Sequence, residues 1–133
     1  MRITLLSLLV LFTACARTGS PARSASETLK EYYAACTSAD TAPTYALSTS
    51  ERVKQLQSNA AYYFVRCYSA VDSIQVLRES PLSDTQTEVL YTDVRYNRTT
   101  GIREDSSLVG CTMKKEGGEW KVSLCHAPKG SAI

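Results

Sequence analysis

The chain is poor in the residues that usually carry catalysis or bind metal. Its 133 residues include one histidine, one tryptophan, two phenylalanines and two methionines. No Cys-x-x-Cys occurs among its five cysteines, and His126 stands alone beside Cys125 with no helix-spaced partner. Neither a zinc knuckle nor a paired histidine site is therefore implied. A Gly-x-Ser-x-Gly elbow and a glycine-rich phosphate loop are both missing, which removes the signatures of serine hydrolases and nucleotide binders. No repeat is visible. An excess of one charge is absent as well: 15 basic against 13 acidic side chains give a net charge of +2. The densest basic spot, Lys114-Lys115, is flanked by Glu116 and Glu119. Nothing here implies nucleic acid as a partner or electrostatic attraction to an anionic bilayer. The expectation is no metal, no cofactor and no catalytic residue.

Long apolar runs are also lacking, with one exception. Ile3 to Phe12 is a ten-residue greasy stretch behind Arg2, the length of a signal h-region and too short to span a bilayer. Its ending, Phe12-Thr13-Ala14-Cys15, resembles a bacterial lipobox, although Phe12 stands where leucine is preferred. In such a signal the chain is cut before the cysteine, which makes Cys15 the lipid-attachment site. Each buried CH₂ of an acyl chain contributes about 0.8 kcal/mol, so a multiply acylated cysteine anchors firmly. The competing reading is ordinary cleavage after Ala16, since Ala14-Cys15-Ala16 also fits an A-x-A pattern. The expected location is the bacterial cell envelope. In a cell with two membranes, Ala16 rather than Asp resembles the signal for the outer membrane facing the periplasm. The chain then divides into a signal at 1–14, a small polar tether at 15–25, a folded domain at 26–127 and a tail at 128–133.

Four further cysteines, Cys36, Cys67, Cys111 and Cys125, form an even set that in an exported chain reads as two disulfides, with three pairings open. Helical signals come first. Ser24-Ala-Ser-Glu27 has capping-box spacing, followed by Leu29, Tyr32, Tyr33 and Cys36 at helical intervals. Asp40 is placed to cap a short second helix with Pro43 in its first turn and Tyr45 and Leu47 along it. Ser48-Thr-Ser-Glu51 is a second capping box. It opens a third helix whose inward residues are Val53, Leu56, Ala60, Tyr63 or Phe64, Cys67 and Val71. Periodicity then becomes alternating. Strands are expected over 73–79, 87–96, 106–115 and 119–125, with turns at 81–84, 97–101 and Gly117-Gly118. Helices followed by an antiparallel meander define an α+β fold, the helices covering one face of a curved sheet.

Cys36 and Cys67 face inward from packed helices and are natural partners. Cys111 and Cys125 flank the glycine turn, but a two-residue loop sets Cys111 opposite Leu124 and Met113 opposite Val122. Bridging Cys111 to Cys125 therefore needs a bulge, at Gly110 or within 114–119. Pairing of Cys36 with Cys111 or Cys125 stays open.

Glu27-Thr-Leu-Lys-Glu-Tyr-Tyr-Ala-Ala, Ser38-Ala-Asp40 with Tyr45-Ala-Leu47, and the closing Lys115-Glu-Gly-Gly-Glu-Trp-Lys-Val122 resemble small exported lipoproteins of the NTF2-like superfamily, with a cystatin-like cone. The resemblance spans roughly residues 26–125. It implies a cone whose pocket is lined by Tyr32, Tyr63, Tyr91 and Trp120. The plainer reading of tyrosines at regular spacing is core filling with the hydroxyl reaching outward. Isomerase-like relatives would nominate Asp72 or Asp93 as a buried acid, yet neither has an apolar niche in the pattern. Asn97-Arg-Thr99 matches a glycosylation triplet and reads more simply as a hairpin turn. The function these observations favour is a non-catalytic, membrane-tethered binding domain for another envelope component, with an envelope protein as the expected partner. The alternatives are a carrier of a small apolar ligand and an enzyme built in the same cavity. A filled interior separates the first from the other two.

Overall fold

The computed structural model of the chain describes residues 22–59 and 72–126. The expected signal, residues 15–21 of the expected tether and the tail lie outside the described residues, as do Cys15, Tyr63 and Cys67; residues 22–25 are described, with Ser24 capping the first helix and Ala25 buried in it.

Helix α1 (Ala25–Thr37) starts where the capping box places it. Ser24 Oγ accepts from the Glu27 N–H at 3.1 Å, and the Glu27 carboxylate accepts from the Ser24 N–H at 2.8 Å. Each closes a donor that the first turn leaves open. Ala25, Leu29, Tyr32 and Cys36 follow at helical steps and are buried. Helix α2 (Thr41–Ala46) begins after Asp40, whose side chain makes no capping bond. Thr44 instead returns its hydroxyl to the Asp40 carbonyl at 2.7 Å and is fully buried. Helix α3 (Ser50–Ser58) is capped one residue later than the sequence suggests. Thr49 Oγ1 accepts from the Arg52 N–H at 3.2 Å, while Ser48 donates to the Thr44 carbonyl at 2.7 Å. The continuation of this helix expected toward Val71 lies outside the described residues.

Four strands form an antiparallel meander in the order β1-β2-β3-β4: β1 (Ser73–Ser83), β2 (Gln86–Tyr96), β3 (Arg103–Glu116) and β4 (Glu119–His126). Two strands are longer than alternation predicts. β1 runs through Pro81, which pairs with Thr87, and the turn falls at residues 84–85. Proline is tolerated there because β1 is an edge strand with a register shift beside it. β3 starts at Arg103. Its turn from β2 is an Asx-turn: Asn97 Oδ1 accepts from the N–H groups of Thr99 and Thr100 at 2.9 and 3.0 Å.

The β3–β4 hairpin turns on Gly117 and Gly118, with φ of 61° and 82°. Two consecutive positive values suit a type I′ turn, which glycine enters without strain. The two-residue loop pairs Glu116 with Glu119 and Met113 with Val122, as the pattern requires. The register then shifts, so that Thr112 faces Leu124 and Cys111 faces Cys125. The bulge that permits the Cys111–Cys125 disulfide is thus at Ser123 in β4, rather than at Gly110 or within 114–119. Cys36 is fully buried and disulfide-bonded, its partner lying outside the described residues.

The core is one cluster of Ala25, Leu29 and Tyr32 from α1 against Val89, Tyr91, Cys111, Met113 and Val122 of the sheet. The α2–α3 link is tied to β4 as well: Thr49 N–H donates to the Val122 carbonyl at 2.9 Å, and Val122 N–H to the Leu47 carbonyl at 2.8 Å. This short parallel bridge closes the edge of β4 beside the hairpin tip.

Candidate functional site

Both described helix starts next to the sheet are held by a glutamate from a strand. Glu79 of β1 accepts from Ser26 N–H and Oγ at 3.2 and 2.5 Å. Glu116 of β3 accepts from Ser50 N–H at 3.1 Å and from its hydroxyl at 3.0 Å. Each carboxylate sits at the positive end of a helix, where negative charge is favoured. These clamps tie α1 to β1 and α3 to β3, and the Ser48–Val122 bridge ties the α2–α3 link to β4.

Between α1 and the β3–β4 hairpin is a half-open cleft of about 730 Å³. Arg23, Glu27, Thr28 and Glu31 line it from α1 and its approach, and Glu119, Trp120 and Lys121 from the hairpin. Arg23 pairs with Glu31 at 2.6 Å, both side chains about half exposed. Glu27 is held below the ordinary carboxylate range, first by the Ser24 backbone N–H and then by the Ser24 hydroxyl, with Lys30 and Arg23 adding to the effect. It is therefore ionised across the neutral range. On the far wall Lys121 pairs with Glu119 at 3.3 Å and donates to the Ala46 carbonyl. The Lys115 ammonium sits 4.8 Å from the centre of the Trp120 ring, within cation–π range.

Of the expected pocket residues that are described, Tyr32, Tyr91 and Trp120, Trp120 alone lines this cleft. Tyr32 and Tyr91 are 1% and 0% exposed and fill the core. The Tyr91 hydroxyl hydrogen-bonds that of Tyr33 and lies 3.7 Å from Cys111 Sγ. They are core residues because their inward spacing meets the sheet directly beneath α1. Tyr63 lies outside the described residues.

The nominated acids have other work. Asp72 accepts from the Tyr96 N–H at 2.8 Å and pairs with Arg98 at 2.6 Å, which pins the β2–β3 turn to the start of β1. It also borders a smaller hollow of about 190 Å³ with Lys30 and Tyr33. Asp93 lies 3.9 Å from Arg95, and His126 lies 3.9 Å from Glu88. Among the described residues, no group of three or more His, Cys, Asp or Glu side chains is placed to hold a metal. No described helix is long and apolar enough to cross a membrane.

Sequence reading singled out Glu27 only as a helix start and passed over Arg23, Glu31, Glu119 and Lys121. Part of the signal was present: Glu27 and Glu31 are four residues apart, which places them on one side of α1, with Arg23 just ahead of its cap.

No protein-family model matches the chain, and no curated protein does. Among solved structures it is similar to a SEC-C motif containing protein from Rhodopseudomonas palustris, determined in solution. That match has a TM-score of 0.63 at 19% identity and covers 80% of this chain and 83% of the other. At this identity the likeness concerns the fold. It corrects the family expected from the sequence: the neighbour is a SEC-C motif protein and not an NTF2-like lipoprotein. The motifs behind that expectation, a capped helix and a Gly-Gly hairpin ending in Trp-Lys-Val, report local capping and turn chemistry that many α+β folds share. The α+β class itself stands, with short helices on one face of a four-stranded antiparallel sheet.

Proposed function

We propose that this chain is a non-catalytic binding protein of the bacterial cell envelope. It is exported and held at a membrane through Cys15, and it engages another envelope component with its folded domain. The single observation that supports this most is where the free space lies. Leu29, Tyr32, Val89, Tyr91 and Met113 fill the space between α1 and the sheet, each 1% exposed or less. A carrier of a small apolar ligand needs that interior. The concavity that remains is outside it, half-open and walled by ion pairs. Such a surface suits a protruding group of a macromolecule better than an enclosed small molecule.

The anchoring half of the proposal is tested by mass spectrometry of the mature N-terminus. Acylated Cys15 is the expected result, with release of the Cys15→Ser variant from membranes; an unmodified chain beginning at Arg17 overturns it. The binding half is tested in cells with a photo-crosslinking residue at position 119 and, as a control, at 124. A discrete envelope-protein adduct at 119 and none at 124 is expected. Equal labelling at both positions overturns the placement.

A further inference from the structure

We infer that the cleft recognises a cationic side chain, an ammonium or guanidinium on an apolar stem, presented by a basic segment of a partner polypeptide. This rests on the binding reading above and names the chemistry of the partner.

The balance of groups carries the inference. On the α1 wall two carboxylates, Glu27 and Glu31, face one guanidinium, that of Arg23. Arg23 is committed to Glu31 at 2.6 Å. Glu27 is bound to the Ser24 N–H through Oε2, and a carboxylate retains further acceptor capacity after one such bond. On the hairpin wall the exposed member is again the acid: the Glu119 side chain is 78% exposed, and that of Lys121 is 19%. Lys121 turns its ammonium to Glu119 and to the Ala46 carbonyl. The lining thus sets three carboxylates, Glu27, Glu31 and Glu119, against two cations, Arg23 and Lys121, and is acidic on balance.

One observation independent of the acids agrees. Trp120 is in the cleft wall and already has the Lys115 ammonium over its ring, so this ring is a surface on which a cation settles. The volume of about 730 Å³ admits a side chain with its flanking backbone.

Trp120 is the only tryptophan, so its fluorescence reports on the cleft without labelling. The test titrates the full folded domain with hexalysine and, separately, with hexaglutamate at low salt. A saturable change in emission with hexalysine, weakened by added salt, and none with hexaglutamate are expected. Replacing Glu27 and Glu31 by Gln should weaken hexalysine binding about tenfold, through lost charge complementarity. Gln at position 27 keeps the capping-box acceptor, so α1 retains its start. Should the double variant not fold, Glu31→Gln alone, at a half-exposed residue, gives the same reading. Hexaglutamate binding as well as hexalysine overturns the inference, as does hexalysine binding that ignores the glutamate variants. A partner crosslinked at position 119 through a segment without Lys or Arg overturns the inference alone and leaves the binding reading standing.

Discussion

On the face of the sheet that α1 covers, Val89, Tyr91, Cys111, Met113 and Val122 are all 0% exposed. On the opposite face, alternation places Glu88, Leu90, Thr112, Leu124 and His126. There Leu90 is half-buried, Leu124 is 48% exposed, and Glu88 stands 3.9 Å from His126. The same four strands thus separate cohesion from solvation. Among the described residues, burial of apolar area, worth roughly 25 cal/mol per Å², is concentrated on the side that α1 covers. The candidate site belongs to neither face proper. It forms where α1 and the hairpin tip part, at the rim of the covered side.

The sharpest way to break this comparison is to substitute across it. Tyr91→Ala, which removes a fully buried ring and its hydrogen bond to Tyr33, should cost about 3–5 kcal/mol in chemical denaturation. That is a large share of the roughly 5–15 kcal/mol a domain has in total. Next in size is the disulfide. Cys125→Ser opens a bridge spanning 14 residues and should cost about 3 kcal/mol on the chain-entropy account. Because the bridge straddles the Ser123 bulge, hydrogen exchange should rise first in β4. Ser24→Ala removes the cap of α1 and should cost about 1 kcal/mol. Smallest is Leu124→Thr on the opposite face, which should stay within about 0.5 kcal/mol. A loss at Leu124 approaching that at Tyr91 would mean that both faces hold the fold together.

Acid sharpens the comparison differently. The Glu27 carboxyl has a lower pKa in the folded chain than the ordinary 4.5, chiefly because the Ser24 N–H and hydroxyl favour its charged form. A depressed carboxyl contributes stability that is present above the unfolded value and lost as pH falls through the folded one. Thermal melting should therefore show a smaller drop below pH 4.5 for Glu27→Gln than for the unaltered chain. An identical drop would remove the capping carboxylate from the account of α1.

How much of this could be read in the sequence differs by element, for physical reasons. The start of α1 was legible because a capping box is a local signal, fully contained in Ser24 to Glu27. The Gly117-Gly118 turn was legible for the same reason, and so was the need for a bulge between Cys111 and Cys125. Where the bulge sits was not: Ser123 has no composition that marks it, and its position follows from pairing across strands. Pro81 misled because its cost depends on whether its strand is an edge, which is a tertiary property. Tyr32 and Tyr91 looked like candidates for a pocket wall, yet the depth to which α1 sinks onto the sheet decides their burial. The cleft was hidden for a related reason. Its walls come from residues about 90 apart in the chain, and the packing of α1 against β3 and β4 brings them side by side.

The most direct test of the central claim is amide and indole chemical-shift mapping of the labelled domain on addition of a basic peptide. The account predicts shifts confined to the Trp120 indole, residues 23–31 and the hairpin tip. Shifts centred on Leu90, Leu124 and His126 would place binding on the opposite face and contradict it.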